Sequence, residues 1–179
     1  MNIRKKAVFN WSGGKDSALA LYKVLQQNQF DVVALLTTVN EETELSSMHA
    51  IPHALLLKQA ESIGIPLYPV FLPKNLSIYE KRMKDAANHF KAQGVEHFIF
   101  GDIYLSDVRK YREDRLHPLG IEVVEPLWNQ NSNEVMQDFL ASGIKTKIIV
   151  TDASKLGEAF IGQDISSALI DLMPAEVDV

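Results

Sequence analysis

Six consecutive residues, Ser12-Gly13-Gly14-Lys15-Asp16-Ser17, hold the densest chemistry in the chain. Paired glycines let a backbone approach a ligand closely and turn through positive φ. Amide groups freed at a helix start, together with the helix dipole, attract anions. Ser12 and Ser17 add hydroxyl donors, and Lys15 adds a compact positive charge suited to phosphate. Asp16 either caps the helix or holds a Mg²⁺ that bridges phosphates. The spacing is not the Walker A pattern, which separates its glycines by four residues before Lys-Ser/Thr, and it is not GxGxxG. The stretch reads as a phosphate cradle rather than a capped turn.

Further candidates follow along the chain. Thr37 and Thr38 end an apolar run, where a nucleotide binder of this class faces its adenosine; as strand formers they need no such role. Ser47, Met48 and His49 lie in a polar loop too long to be only a connection, and a substrate-facing role is expected for His49. His49 and His53 are four apart, but Pro52 interrupts a helix through them and no third ligand is evident, so they are not read as a metal pair. Glu41, Glu42 and Glu44 read as a solvated acidic loop, one carboxylate of which could meet Mg²⁺. Gly101-Asp102 closes another apolar run, with Asp102 placed to orient a ribose, a metal or a nucleophile. Arg109, Arg112 and Arg115 share one charged segment beside Glu113 and Asp114, where ion pairing is the ordinary outcome. Trp128, after Pro126, reads as a packing anchor.

Alternating elements must position these residues. Strands are expected over 6–11, 31–39, 65–72, 95–102 and 121–128, and a sixth over 145–151. Helices are expected over 15–27, from Pro52 to Gly64, and over 76–92, 106–118, 132–142 and 163–172. The continuous β-branched run DVVALLTTV is the pattern of a strand buried on both faces, and the prolines of IPLYPVFL suggest an edge position or a short ladder. Strand, helix, strand, helix predicts an α/β fold, a doubly wound parallel sheet of Rossmann-like type. In such sheets ligands sit at the carboxyl ends of the strands, near the switch in strand order. Residues 11–17, 37–49, 71–77 and 101–112 fall at those ends.

The bulk numbers agree with one soluble α/β domain. The chain has 179 residues, 46% hydrophobic and 23% charged. A net charge of −5 argues against a broad nucleic-acid footprint. There is no cysteine, so these residues offer no disulfide, thiolate metal site or cysteine nucleophile. No apolar run approaches the roughly 18 residues of a membrane span. The N-terminal apolar stretch is too short for a signal peptide, so a cytoplasmic location is expected.

SGGKDS resembles the signature of the PP-loop (N-type) ATP pyrophosphatases, a superfamily with the HUP, adenine nucleotide α-hydrolase-like fold. The resemblance implies that residues 12–17 hold the β- and γ-phosphates of ATP while a substrate is adenylated. Gly101-Asp102-Ile103, Arg112-Glu113, Pro126-Leu127-Trp128, and Ser47-Met48-His49 followed by a helix to Gly64 are spaced as in the diphthine–ammonia ligase family. That resemblance covers nearly the whole chain. It implies that a carboxylate is adenylated, with release of AMP and pyrophosphate, and then amidated by ammonia.

The implied catalytic residues are Lys15, Asp16, Asp102 and Arg112, with Arg112 on a phosphate or carboxylate. ATP would meet Ser12, Gly13, Gly14, Lys15, Asp16, Ser17, Thr37 and Gly101; the substrate would meet Ser47, Met48 and His49; Asp16 would hold Mg²⁺. Expected partners are ATP, ammonia and a carboxylate acceptor: diphthine on elongation factor 2 in an archaeal or eukaryotic chain, another carboxylate in a bacterial one. A homodimer is the expected assembly if the chain self-associates. An ATP-binding domain is expected over 1–125 and a small α+β substrate-side subdomain over 126–179. The family usually continues past a stretch like Leu172 to Val179 into a Gly-Glu-Asn-Gly-Glu-type segment that these residues lack, and it has Gly where Ala50 stands. A non-enzymatic ATP-binding regulator and a PP-loop tRNA-modifying enzyme are the competing functions.

Overall fold

A computed structural model describes residues 4–74, 78–175 and 177. It divides into two compact units, Met1–Trp128 and Asn129–Val179. Among the described residues the first unit holds five strands: β1 (Lys5–Asn10), β2 (Phe30–Asn40), β3 (Leu67–Leu72), β4 (His97–Ile99) and β5 (Glu122–Val124). The helices between them are α1 (Lys15–Gln27), α2 (His53–Ile63), α3 (Tyr79–Ala92) and α4 (Ser106–Leu116). The strands form one all-parallel sheet in the order β3-β2-β1-β4-β5, so the fold is the expected doubly wound α/β sheet.

The order explains where a ligand would sit. The chain builds outward from β1 to β3, then returns to the other side of β1 to lay down β4 and β5. Right-handed crossovers then put α1 and α2 on one face and α3 and α4 on the other. Strand alternation agrees: Val8, Leu36, Val70 and Phe98 share a core with Ala86, Ala87 and Phe90 of α3 and Leu116 of α4. The switch point lies between β1 and β4, at their carboxyl ends.

Local signals set most boundaries. Asn28 and Gly64 end α1 and α2 in the left-handed conformation. Pro52 is the residue before α2 rather than its first turn, held by a bridge to Leu45. β3, with Pro69 opposite Thr37, takes the edge position its prolines suggest. β4 and β5 are shorter than expected, at three residues each; β5 is the second edge strand, with only β4 to pair with. Of the helix expected over 76–92, residues 76 and 77 lie outside the described residues, as do 75–77 of the carboxyl-end segment 71–77.

The second unit contains α5 (Ser132–Ser142), which buries Val135, Met136 and Phe139, and α6 (Ser167–Ile170), shorter than the helix expected over 163–172. The strand expected over 145–151 does not form. Lys147 makes a single antiparallel bridge to Asp164, and Val150 is 77% exposed. A β-branched run with one short partner builds no ladder. Among the described residues no helix is long and apolar enough to cross a membrane.

Candidate functional site

β1 ends at the switch point, and its ladder continues one residue further, with the Trp11 amide donating to the Leu36 carbonyl at 2.7 Å. The Asn10 side-chain amide donates across to the Ile99 carbonyl of β4. The chain then turns through Gly13 at φ +80° and enters α1 with Gly14 as its extended N-cap residue. Ser17 Oγ accepts the Ser12 amide and Ser12 Oγ accepts the Gly14 amide, both at 3.2 Å, so the two serines set the shape of the turn. Lys15 Nζ lies 2.7 Å from Asp16 Oδ1; their side chains are 20% and 38% exposed.

Positive φ favours glycine at Gly13, and side-chain ends crowd both glycines. A Cβ on Gly13 would come within 2.8 Å of Ile51 and Leu56, and one on Gly14 within 2.9 Å of His49 Nε2. The imidazole of His49 therefore lies against the start of α1. It is brought there by residues 41–52, which fold back along β2. Val39 bridges Ser46, the Ser47 amide donates to the Thr38 carbonyl, and the buried Ser46 hydroxyl accepts the Ile51 amide. Ala50 in this loop has φ +51°, a conformation that favours glycine.

From the other side of the switch, Gly101 packs on α1 so closely that a Cβ would sit 2.9 Å from Ser17 Cα and 3.1 Å from the Asp16 carbonyl. Its missing side chain makes room for helix backbone. Asp102, the next residue, pairs with Arg112 of α4. Arg112 also donates to Glu125 at 3.3 Å and lies 3.9 Å over the Phe100 ring. Arg109, one turn away, bonds Glu113 at 2.9 Å, approaches Glu125 at 3.4 Å and lies over Trp128. Trp128 is thus half-buried under a guanidinium. Arg115 turns elsewhere, to Glu80.

Burial pushes the Glu125 carboxyl above the ordinary carboxylate range; Arg109 opposes this, the Asp102 charge adds to it, and Arg112 opposes it.

The structure therefore gathers Ser12, Gly13, Gly14, Lys15, Asp16, Ser17, Gly101 and His49 around one helix start, with Asp102 and Arg112 following directly on Gly101. Thr37 is buried within the sheet at 4% exposure, Ser47 contributes a backbone bond, and Met48 stands 69% exposed. Glu125 was not among the sequence-predicted residues. Its signal was a lone acid directly after an apolar strand and before a proline, at the carboxyl end of β5.

An all-parallel α/β sheet carrying Ser-Gly-Gly-Lys-Asp-Ser at its switch point defines a PP-loop ATP pyrophosphatase-type domain. Residues 5–123 match the diphthamide synthase N-terminal domain family, and the chain belongs to that family. None of the curated proteins compared with it matches. Among solved structures that do is the U34-tRNA thiolase NcsA from Methanococcus maripaludis with its 4Fe–4S cluster. The two are 16% identical, with a TM-score of 0.49 over 79% of this chain and 59% of that one. The chain thus spans about three fifths of that neighbour's length.

Proposed function

We propose that the chain is an ATP-dependent ligase that adenylates a carboxylate and amidates it with ammonia, as the diphthine–ammonia ligases do. One observation carries the reading: the glycine turn, the α1 amides and Lys15 meet the Gly101–Asp102 end of β4 at a single switch point. The β- and γ-phosphates of ATP bind the amides of residues 13–17 and Lys15, which directs the α-phosphate to the acceptor. A carboxylate oxygen attacks the α-phosphorus and the bond to the β-phosphate oxygen breaks. Pyrophosphate leaves and an acyl-adenylate remains. Ammonia attacks the acyl carbon, AMP departs, and a proton is lost to solvent. The chain contributes positioning and charge stabilisation rather than a covalent group.

Mg²⁺ needs only one or two carboxylates beside phosphate oxygens and water. Asp16, partly exposed in the first turn of α1, fits that role, while the described residues hold no cluster of three or more metal-ligating side chains. Bound there, the ion would neutralise charge on the leaving pyrophosphate. Ser47, Met48 and His49 are assigned to the acceptor, and the position of His49 against Gly14 supports that assignment for it. The ATP work is assigned to residues 1–125 and the acceptor side to 126–179. The family match ending at 123 and the compact unit ending at Trp128 support that division.

The test is AMP and pyrophosphate formation from ATP, Mg²⁺ and ammonium across a panel of carboxylates that includes diphthine-bearing elongation factor 2. The expected result is acceptor-dependent AMP and pyrophosphate, lost in Lys15→Ala and Asp16→Ala. ADP with inorganic phosphate would overturn the reading. ATP binding without turnover would make the chain a regulator, and AMP release dependent on tRNA would make it an RNA-modifying enzyme.

A further inference from the structure

Glu125 is a costly residue to bury. Its side chain is 0% exposed, and its Oε2 has no hydrogen bond, although Arg109 Nη1 lies 3.4 Å away. An ion pair of this kind is seldom more stable than apolar side chains of the same volume. Stability therefore does not explain the choice of residue, and position does. Val124 is paired with Ile99, and the Phe100 amide donates to the Val124 carbonyl, so Glu125 stands level with the Phe100–Asp102 end of β4.

There it meets two arginines from one face of α4, three residues apart. Left alone, two adjacent guanidiniums repel. Glu125 lies between them, with Oε1 on Arg112 and Oε2 towards Arg109. Each guanidinium is also held flat by a ring, Arg112 on Phe100 at 3.9 Å and Arg109 on Trp128 at 4.8 Å. Asp102 pairs with the same nitrogen of Arg112, Nη1, that meets Glu125. The side chain of Arg112 is nevertheless 20% exposed. A guanidinium fixed by a ring and two carboxylates, yet still open to solvent beside Gly101, is pre-organised for a further oxyanion.

We infer that Glu125 is the positioning residue of this site: it clamps Arg109 and Arg112 so that Arg112 meets an oxyanion of a reacting partner, either a phosphate of ATP or the acceptor carboxylate. The inference rests on the ligase reading and adds to it a residue that acts only through arginine.

The test compares wild type with Glu125→Gln, Glu125→Asp, Arg112→Ala and the Glu125→Gln/Arg112→Ala double variant. ATP is titrated calorimetrically, and pyrophosphate release is followed with the carboxylate panel; melting temperatures are recorded alongside. Loss of a supporting partner behind a ligand-binding group costs on the order of tenfold or more, and Glu125→Gln is expected to show such a loss. A rise in the Kd for ATP identifies a phosphate; an unchanged Kd with a higher KM for the carboxylate identifies the acceptor. Glu125→Asp is expected to recover most of the loss. In the Arg112→Ala background, Glu125→Gln is expected to add nothing. Additive effects, or wild-type ATP binding and KM in a folded Glu125→Gln, would overturn the inference alone. A wild-type protein that bound no ATP would overturn the ligase reading, and the inference with it, before any variant was compared.

Discussion

The two halves of the candidate site are made in opposite ways. On the β1 side, residues 12–17 form a contiguous turn whose shape is fixed by its own serines and whose proposed anion donors are backbone amides. On the β4–β5 side, Asp102, Arg109, Arg112 and Glu125 come from three separate segments and hold one another by charge. Backbone donors are oriented by the fold and lose no side-chain entropy on binding. A side-chain cluster must bury its charges together to hold its shape, and it responds to protonation. The first design suits a fixed, highly charged ligand; the second suits a group whose geometry changes during a reaction.

That contrast breaks most visibly at Lys15. It is the one side-chain cation in residues 12–17, so Lys15→Ala removes a point charge that the amides cannot replace. Loss of one such electrostatic donor costs about 10²–10³ in turnover. Pyrophosphate release should fall by that factor with the fold intact by circular dichroism. A smaller loss than in Arg112→Ala would place the main charge stabilisation on the β4–β5 side.

The next effect falls where the halves meet. Gly101 lies against the backbone of Asp16 and Ser17, which cannot swing aside as a flexible side chain would. Gly101→Ala forces the first turn of α1 away from β4. Overpacking of this kind costs about 1–3 kcal/mol. Urea denaturation should report that loss, and ATP binding should weaken with it. An unchanged midpoint would mean that the halves are not packed this closely.

Protonation separates the halves by a smaller effect. Burial raises the folded-state pKa of Glu125 above its unfolded value. The folded protein then holds this proton more tightly than the unfolded chain, so stability from this group is lost as pH rises from the ordinary carboxylate range through the raised folded value. Glu125→Gln has no proton to lose. The melting temperature of wild type should therefore fall relative to Glu125→Gln as pH is taken from about 4 to about 7. A difference that stays constant would mean that burial and the arginines cancel at Glu125, and a wild-type gain as pH rises would put the arginines in control.

The same contrast decided what was legible in the sequence. The glycine turn is local, so its residue types and spacing announced it, along with α1, whose bounds are as expected. The parallel sheet followed from alternation, and the edge position of β3 from its prolines. Asp102 and Arg112 were visible individually, but no periodicity joins positions 102, 112 and 125. Glu125 was missed because a lone acid near a strand end is ordinarily solvated; the pairing of β5 with β4 sets it against the arginines of α4 instead. Residues 145–151 misled for the opposite reason. Their β-branched pattern is genuine, but a strand needs a longer neighbour than the few backbone bonds that Thr146 and Ile148 make to residues 162–165 around the bridge of Lys147 to Asp164.

The smallest expected effect concerns the loop that seats His49 against Gly14. Ala50 adopts φ +51° there, with its amide donating to the Ser46 carbonyl at 3.1 Å. For a residue with a Cβ the left-handed region costs about 1–2 kcal/mol. Glycine avoids that cost but loses about 0.5–1 kcal/mol more in chain entropy on folding. The balance favours Ala50→Gly by about 0–1.5 kcal/mol, a rise of at most about 3–6 °C in melting temperature for a chain of this size. The residue is exposed, so ATP binding should stay as it is. A gain in stability with unchanged binding would mean that the loop's conformation is imposed by its bridges to Val39 and Pro52 rather than chosen by its own residues. A drop would mean that the alanine holds the loop, and through it His49, by limiting the unfolded chain. The first outcome would assign the seating of His49, like the glycine turn beneath it, to backbone hydrogen bonding, leaving the arginine cluster as the part of the site built from side chains.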